Sequence, residues 1–191
     1  STKFSLTPAS VNSNVGTATI SDTSGATWTV RDGPTTANSA SRHYVWSAPW
    51  TVSMEAATVT IVWSGGQNSG GTAEVWEGYD WDAITVSTSA GDGSAPFNET
   101  APAHTAGGTD WAALAFGGGR GVNDDSQPTL DTATVPSGWS NLQEAHSAQS
   151  TGTARNAWAW SASKIVTGTT SMSSEVLTDT PGAPWTLDLL D

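Results

Sequence analysis

Four carboxylates and three aromatic rings fall within nine residues: Glu74, Glu77, Asp80 and Asp82 are interleaved with Trp76, Tyr79 and Trp81. Glycoside hydrolysis needs two carboxylates about a scissile bond, one as acid and one as nucleophile or base. Their separation decides whether they can act, and sequence does not fix a separation. Sugar binding needs less, because a flat ring stacks on a pyranose face while a nearby carboxylate accepts hydroxyl hydrogen bonds. Trp76, Tyr79, Asp80, Trp81 and Asp82 are therefore candidate carbohydrate contacts. The plainer alternative is a solvated hairpin edge whose two tryptophans face a core.

The other constellations are thinner. Asn123, Asp124 and Asp125 offer oxygen ligands for a loop calcium, as do Asp80 and Asp82, but neither set has the spacing of an EF-hand loop. Serines abound beside His43, His104 and His146, yet no G-x-S-x-G occurs and a Ser-rich chain brings Ser, His and Asp together somewhere by composition alone. Gly117–Gly119, Arg120 and Gly121 do not form G-x-G-x-x-G and no helical pattern follows, so the run reads as a tight bend or a close backbone approach. Trp139 follows the turn residues Pro136, Ser137 and Gly138. Placed there, its ring can fold over one end of a core and offer its indole N–H to a carbonyl.

Composition narrows the classes. Eighteen acids face six bases for a net charge of −12, and Lys3 and Lys164 are the only lysines. Such a surface repels phosphate backbones and anionic lipid, so nucleic acid and membrane are excluded as partners. No apolar run approaches the roughly 20 residues that span a bilayer. The start STKFSLTPAS lacks a basic region followed by an apolar run, so it reads as a protein made in the cytoplasm without a secretion signal, its initiator Met removed, or as a mature chain. Cysteine is absent, which removes disulfides, thiolate metal sites and a cysteine nucleophile. Eleven tryptophans argue for a packed core despite the Ser, Thr and Gly content.

Helix formers other than Ala are scarce, while Thr, Val and Trp suit a pleated surface. Alternation bounded by turn residues predicts strands over 18–21, 26–31, 43–46, 50–54, 57–63, 73–77, 83–87, 111–116, 132–135, 154–161, 175–177 and 185–190. The first two flank a Thr23-Ser24-Gly25 turn, and the loop 64–71 resembles a hairpin tip between 57–63 and 73–77. Segment 140–149 has a helical cap signal at Ser140 with Gln143, but its setting favours a strand that continues the meander. The Gly-, Pro- and Ala-rich stretch 90–108 reads as a long connection. A faint echo relates ATWTVRDG and SRHYVWSAPW to SGWSNLQEA and ARNAWAWSAS. The fold class is all-β, a β-sandwich or jelly roll of antiparallel strands with long Gly/Ser/Thr loops, in one domain of 1–191. An N-terminal arm over 1–15 and two halves over 16–89 and 109–191 are its candidate subdivisions.

WAALAF, the Gly-rich bend, RGVNDDSQPTLDTATVPSGWSNL, RNAWAWSASKI and PWTLDLL follow one another over roughly 104–190. This stretch resembles β-sandwich domains of structural and tail-associated proteins of tailed bacteriophages and prophages. The resemblance places Pro136, Gly138 and Trp139 at the turn and Arg155, Trp158 and Trp160 on the next strand. Residues 1–103 carry none of it, and the Gly117–Gly119 run departs from the pattern. The resemblance implies a non-enzymatic virion component, a head decoration, fibre or tail accessory. It would work by assembling with neighbouring virion subunits, as a homo-oligomer, without a cofactor beyond a candidate loop calcium. The second class is a carbohydrate-binding module recognising a host surface glycan through Trp76, Tyr79 and Trp81.

Overall fold

In the computed structural model the described residues are 17–37, 41–49, 53, 56–64, 86–91, 98–120, 134–147, 157–179 and 185–191. They form β1 (Ala18–Asp22), β2 (Thr29–Ala37), β3 (Ser41–Ser47), β4 (Val59–Trp63), β5 (Val86–Gly91), β6 (Asn98–Ala101), β7 (His104–Thr105), β8 (Trp111–Arg120), β9 (Trp139–Ser147), β10 (Ala157–Val166), β11 (Ser171–Met172), β12 (Glu175–Asp179) and β13 (Trp185–Leu190). Every pairing is antiparallel. The all-β class expected from the alternation is observed.

The central sheet has five strands in the order β5-β13-β8-β10-β9. Its two middle strands show why it forms. In β13, Leu187 and Leu189 point to one face, and Asp188 and Leu190 to the other, and all four are buried. A strand buried on both sides needs a packed layer against each face of its sheet. On β8, Ala113, Ala115 and Gly117 share the Leu187/Leu189 face, and Leu114 and Phe116 share the Leu190 face. Small residues on one face of β8 leave room for large neighbours, Trp160 of β10 and the two leucines.

Two clusters cover the sheet. The first joins Ala113, Ala115, Trp160, Ala162, Leu187 and Leu189 to Ala101 of β6, Met172 of β11, Leu177 of β12 and Trp139 of β9. The second joins Leu114, Phe116 and Leu190 to Val45 of β3, with Val86 packed against it. The remaining sheets are pairs, β1-β4, β2-β3, β6-β12 and β7-β11. Tyr44 and Trp46, on the side of β3 opposite Val45, stack with ring centroids 5.0 Å apart, and the Tyr44 hydroxyl accepts a hydrogen bond from Ala18 N of β1.

Several expectations are corrected. The Gly117–Gly119 run is no bend, since β8 continues through it to Arg120, paired along its length with β10. Its alternative reading as a close approach is what the structure shows: an added β-carbon at Gly117 would lie 2.3 Å from the Trp160 indole. The stretch expected to be a connection carries β6 and β7, and β6 pairs with β12. Of the expected 83–87 strand, Val86 and Ser87 are among the described residues and are strand, and the strand continues to Gly91, its Gly- and Ser-rich end held by β13 rather than by propensity. The strand expected from Ala26 begins at Thr29 and runs to Ala37, with Pro34 at a register shift where no ladder N–H is needed. Strand β4 pairs with β1, while 73–77, the other arm of the expected hairpin, lies outside the described residues. Segment 139–147 is a strand, as its context indicated, with Asn141 at positive φ (54°) where the pairing with β10 shifts.

Candidate functional site

The polar groups closed inside the sheet layers are the residues with most chemical potential. On the Leu190 face, Asp188 Oδ2 lies 2.9 Å from His43 Nε2, and both side chains are 0% exposed. Thr88 Oγ1 of β5 donates to Asp188 Oδ1 at 2.7 Å. The His43–Asp188 contact is short but poorly aligned, and neither atom completes a hydrogen bond among the described residues.

On the other face, His104 of β7 is 2% exposed. Its Nδ1 is 2.9 Å from Ser87 Oγ of β5, and its Nε2 is 3.7 Å from Asp191 Oδ1. Ser87, His104 and Asp191 thus stand in the order of an acyl-transfer triad. The arrangement falls short of one. A 3.7 Å gap is too long for the carboxylate to orient the ring, and the enclosed imidazole gives a substrate carbonyl no path to it in this conformation. Burial holds the His104 imidazole below its usual value, against the opposing pull of Asp191. The contact ties β7 to β5 and to the end of β13.

A second theme pairs indoles with carboxylates. Trp160 Nε1 donates to Glu99 Oε2 at 2.7 Å, Trp139 Nε1 to Glu175 Oε2 at 2.6 Å, and Trp28 Nε1 to Asp22 Oδ2 at 2.8 Å. The other Asp22 oxygen accepts from Ser24 N, Ser24 Oγ and Ala26 N, which fixes the turn after β1. With few lysines and arginines to pair with, these acids take neutral donors. Lys164 is the exception: its Nζ lies 2.6 Å from Glu175 Oε1 and 5.7 Å from the centre of the Trp139 ring. Burial would raise the Glu175 carboxyl, but the hydrogen bonds from Lys164 and Trp139 and the Lys164 charge outweigh it and hold it below the usual range.

A depressed carboxyl contributes stability above its ordinary range and loses it as pH falls through the lowered value. Glu175→Gln is therefore expected to cost about 1–2 kcal/mol at neutral pH, a figure kept small by partial exposure of the pair. The gap from the parent chain should close in acid, where the parent carboxyl is protonated. Urea unfolding at neutral and acidic pH reads both.

Of the residues singled out in the sequence, Trp139 and Trp160 are core. The Trp139 indole meets a carboxylate where a carbonyl was expected. Pro136 O accepts from Trp139 N at 3.2 Å and Gly138 has φ +95°, the backbone a type II turn requires of its third residue. Trp158 sits in β10 opposite Gly119, and its side chain lies outside the described residues, as does Arg155. Trp76, Tyr79, Asp80, Trp81 and Asp82 lie outside them too, as do Asn123, Asp124 and Asp125. The described residues hold no cluster of three or more His, Asp or Glu able to bind a metal, and no helix among them is long and apolar enough to cross a membrane.

Sequence reasoning passed over His43, His104, Glu99 and Asp188 as site residues. The alternation in WTLDLL sets Asp188 beside Thr186 and opposite Leu187 and Leu189, the side a half-buried strand turns to solvent, so its burial had no local signal. No protein-family model, curated protein or solved structure matches this chain.

Proposed function

We propose that the chain is a non-enzymatic virion structural protein of a tailed phage, a β-sandwich of jelly-roll kind that assembles with neighbouring virion subunits. The observation that carries this reading is where the polar chemistry goes. His43, His104, Glu99 and Asp188 are all buried, each against a neighbouring strand, which suits a scaffold better than a reaction centre. Meanwhile Val30, Val62, Ile165 and Val176 stand exposed on strands of four different sheets, apolar positions suited to contact with other subunits. The acidic surface would keep the free subunit soluble.

Light scattering of the purified chain, with and without calcium, tests the reading. A closed oligomer that Ile165→Asp or Val62→Asp dissociates is the expected result. A monomer at every concentration that also fails to bind particles lacking it would overturn the proposal. The run 76–82 is the feature that would favour a glycan-binding module instead, and sugar-dependent protection of tryptophan from a soluble quencher, lost in Trp76→Ala, is the outcome that would select it.

A further inference from the structure

We propose that His104 is an acid-sensitive latch: protonating its enclosed ring releases the β7–β11 pair and its flanking loops from the central sheet, a conformational device separate from assembly. The ring joins four elements. Its backbone pairs with Met172 of β11, Nδ1 meets Ser87 Oγ of β5, the ring centroid lies 5.3 Å from that of Trp111 of β8 with the planes tilted by 40°, and Nε2 faces Asp191 beyond β13.

Among these, Asp191 is the one charged group; Ser87, Trp111 and Met172 carry no charge. A neutral imidazole suits the site in either tautomer, because the Ser87 hydroxyl can donate to Nδ1 or accept from it. A protonated ring has two donors and a full charge. Nε2 has no hydrogen-bond partner among the described residues, and the Asp191 oxygen at 3.7 Å is beyond hydrogen-bond length. Asp191, at ion-pair distance, favours a protonated ring, but taking that charge out of water in the enclosed site is the larger effect and disfavours it. The depressed imidazole described above agrees with this geometry.

The sign follows. With the folded value below the ordinary 6.5, stability is complete above that value and is lost as pH falls through it toward the folded one. The part that yields is the most lightly tied. Strands β7 and β11 are two residues each, and Ala106 N to Thr170 O, Thr169 N to Thr109 O, Gly107 N to Asp191 Oδ2 and Gly168 N to Asp110 Oδ1 hold their loops. Opening uncovers Met172 and the Trp111 indole, which donates to Thr169 O.

Hydrogen exchange on the intact chain, corrected for intrinsic rates, tests the latch at about pH 7.5 and about pH 5.5, a window in the imidazole range rather than the carboxylate range. Peptides spanning 104–110 and 167–173 should open more at the lower pH, by up to about tenfold per pH unit for one proton, while β8 and β10 amides stay flat. In His104→Gln, which keeps a hydrogen-bonding side chain but cannot titrate, the dependence should vanish. Equal protection at both pH values in the parent chain, or an undiminished dependence in His104→Gln, overturns the proposal. If that variant does not fold, the His104 ring titration by NMR in the parent decides: a midpoint below 6.5 supports the latch, and one at or above it refutes it.

Discussion

Trp160→Ala should lower the folding free energy by about 3–5 kcal/mol, the cost of emptying a large aromatic site in a core that cannot fully collapse. Trp160 is fully buried, and its neighbours on both flanking strands are fixed by ladders: Gly117 of β8 on one side and Glu144 of β9 on the other. Its indole also donates to the buried Glu99 carboxyl group, so the truncation removes packing and a buried hydrogen bond together. Trp160→Phe separates the two. It keeps most of the volume and loses the donor, for about 1–3 kcal/mol. Far-UV circular dichroism during urea unfolding measures both variants. A Trp160→Phe chain as stable as its parent would show that the Glu99 contact contributes nothing.

Gly117→Val should be comparably severe by the opposite route. A β-carbon at Gly117 would meet Cε2 and Nε1 of Trp160 at 2.3 Å, so ring or backbone must move. Neither moves freely, since β8 is hydrogen-bonded to β10 on one side and β13 on the other. Overpacking of this kind costs about 1–3 kcal/mol when a core can adjust, and this one has little room to do so. Because the clash has one named partner, the two sites should couple. In a double-mutant cycle, Gly117→Val combined with Trp160→Ala should lose less than the sum of the single changes, the added methyls filling part of the vacated space. Additive losses would mean that the glycine is required for some reason other than the ring above it.

The strand character of the chain was legible because its alternation is strong where burial is one-sided, and in 185–190 because an apolar run bounded by turn residues suits a strand covered on both faces. Segment 139–147 shows a different route: local propensity leaned toward helix, and the surrounding strands decided correctly. Pairing partners were not legible. Nothing in VTIVW indicates that it joins ATISD rather than a nearer segment, since register depends on which faces meet in three dimensions. The glycines after Phe116 misled for a related reason. Read locally, three glycines end a strand, but the indole packed over the first of them keeps that strand in the sheet. The inward-facing His43, His104 and Glu99 were hidden because sequence records a polar residue and not the partner that makes its burial tolerable.

Strand β13 carries one more consequence, for the order in which the molecule is built. It lies between β5 and β8, and the Thr88 hydroxyl that meets Asp188 is 100 residues upstream in sequence. Leu187 and Leu189 complete one core and Leu190 the other. A ribosome therefore releases β5 and β8 long before the strand that belongs between them exists. Until it emerges, β8 can zip only to β10, and β5 has no place in the sheet. Closing so distant a contact comes at a high entropic cost before any apolar reward arrives, so the chain belongs among slow, non-locally paired folders. In the interval the edge of β8 that β13 will cover stands open, and the like charge of the chains, −12 each when complete, opposes their association.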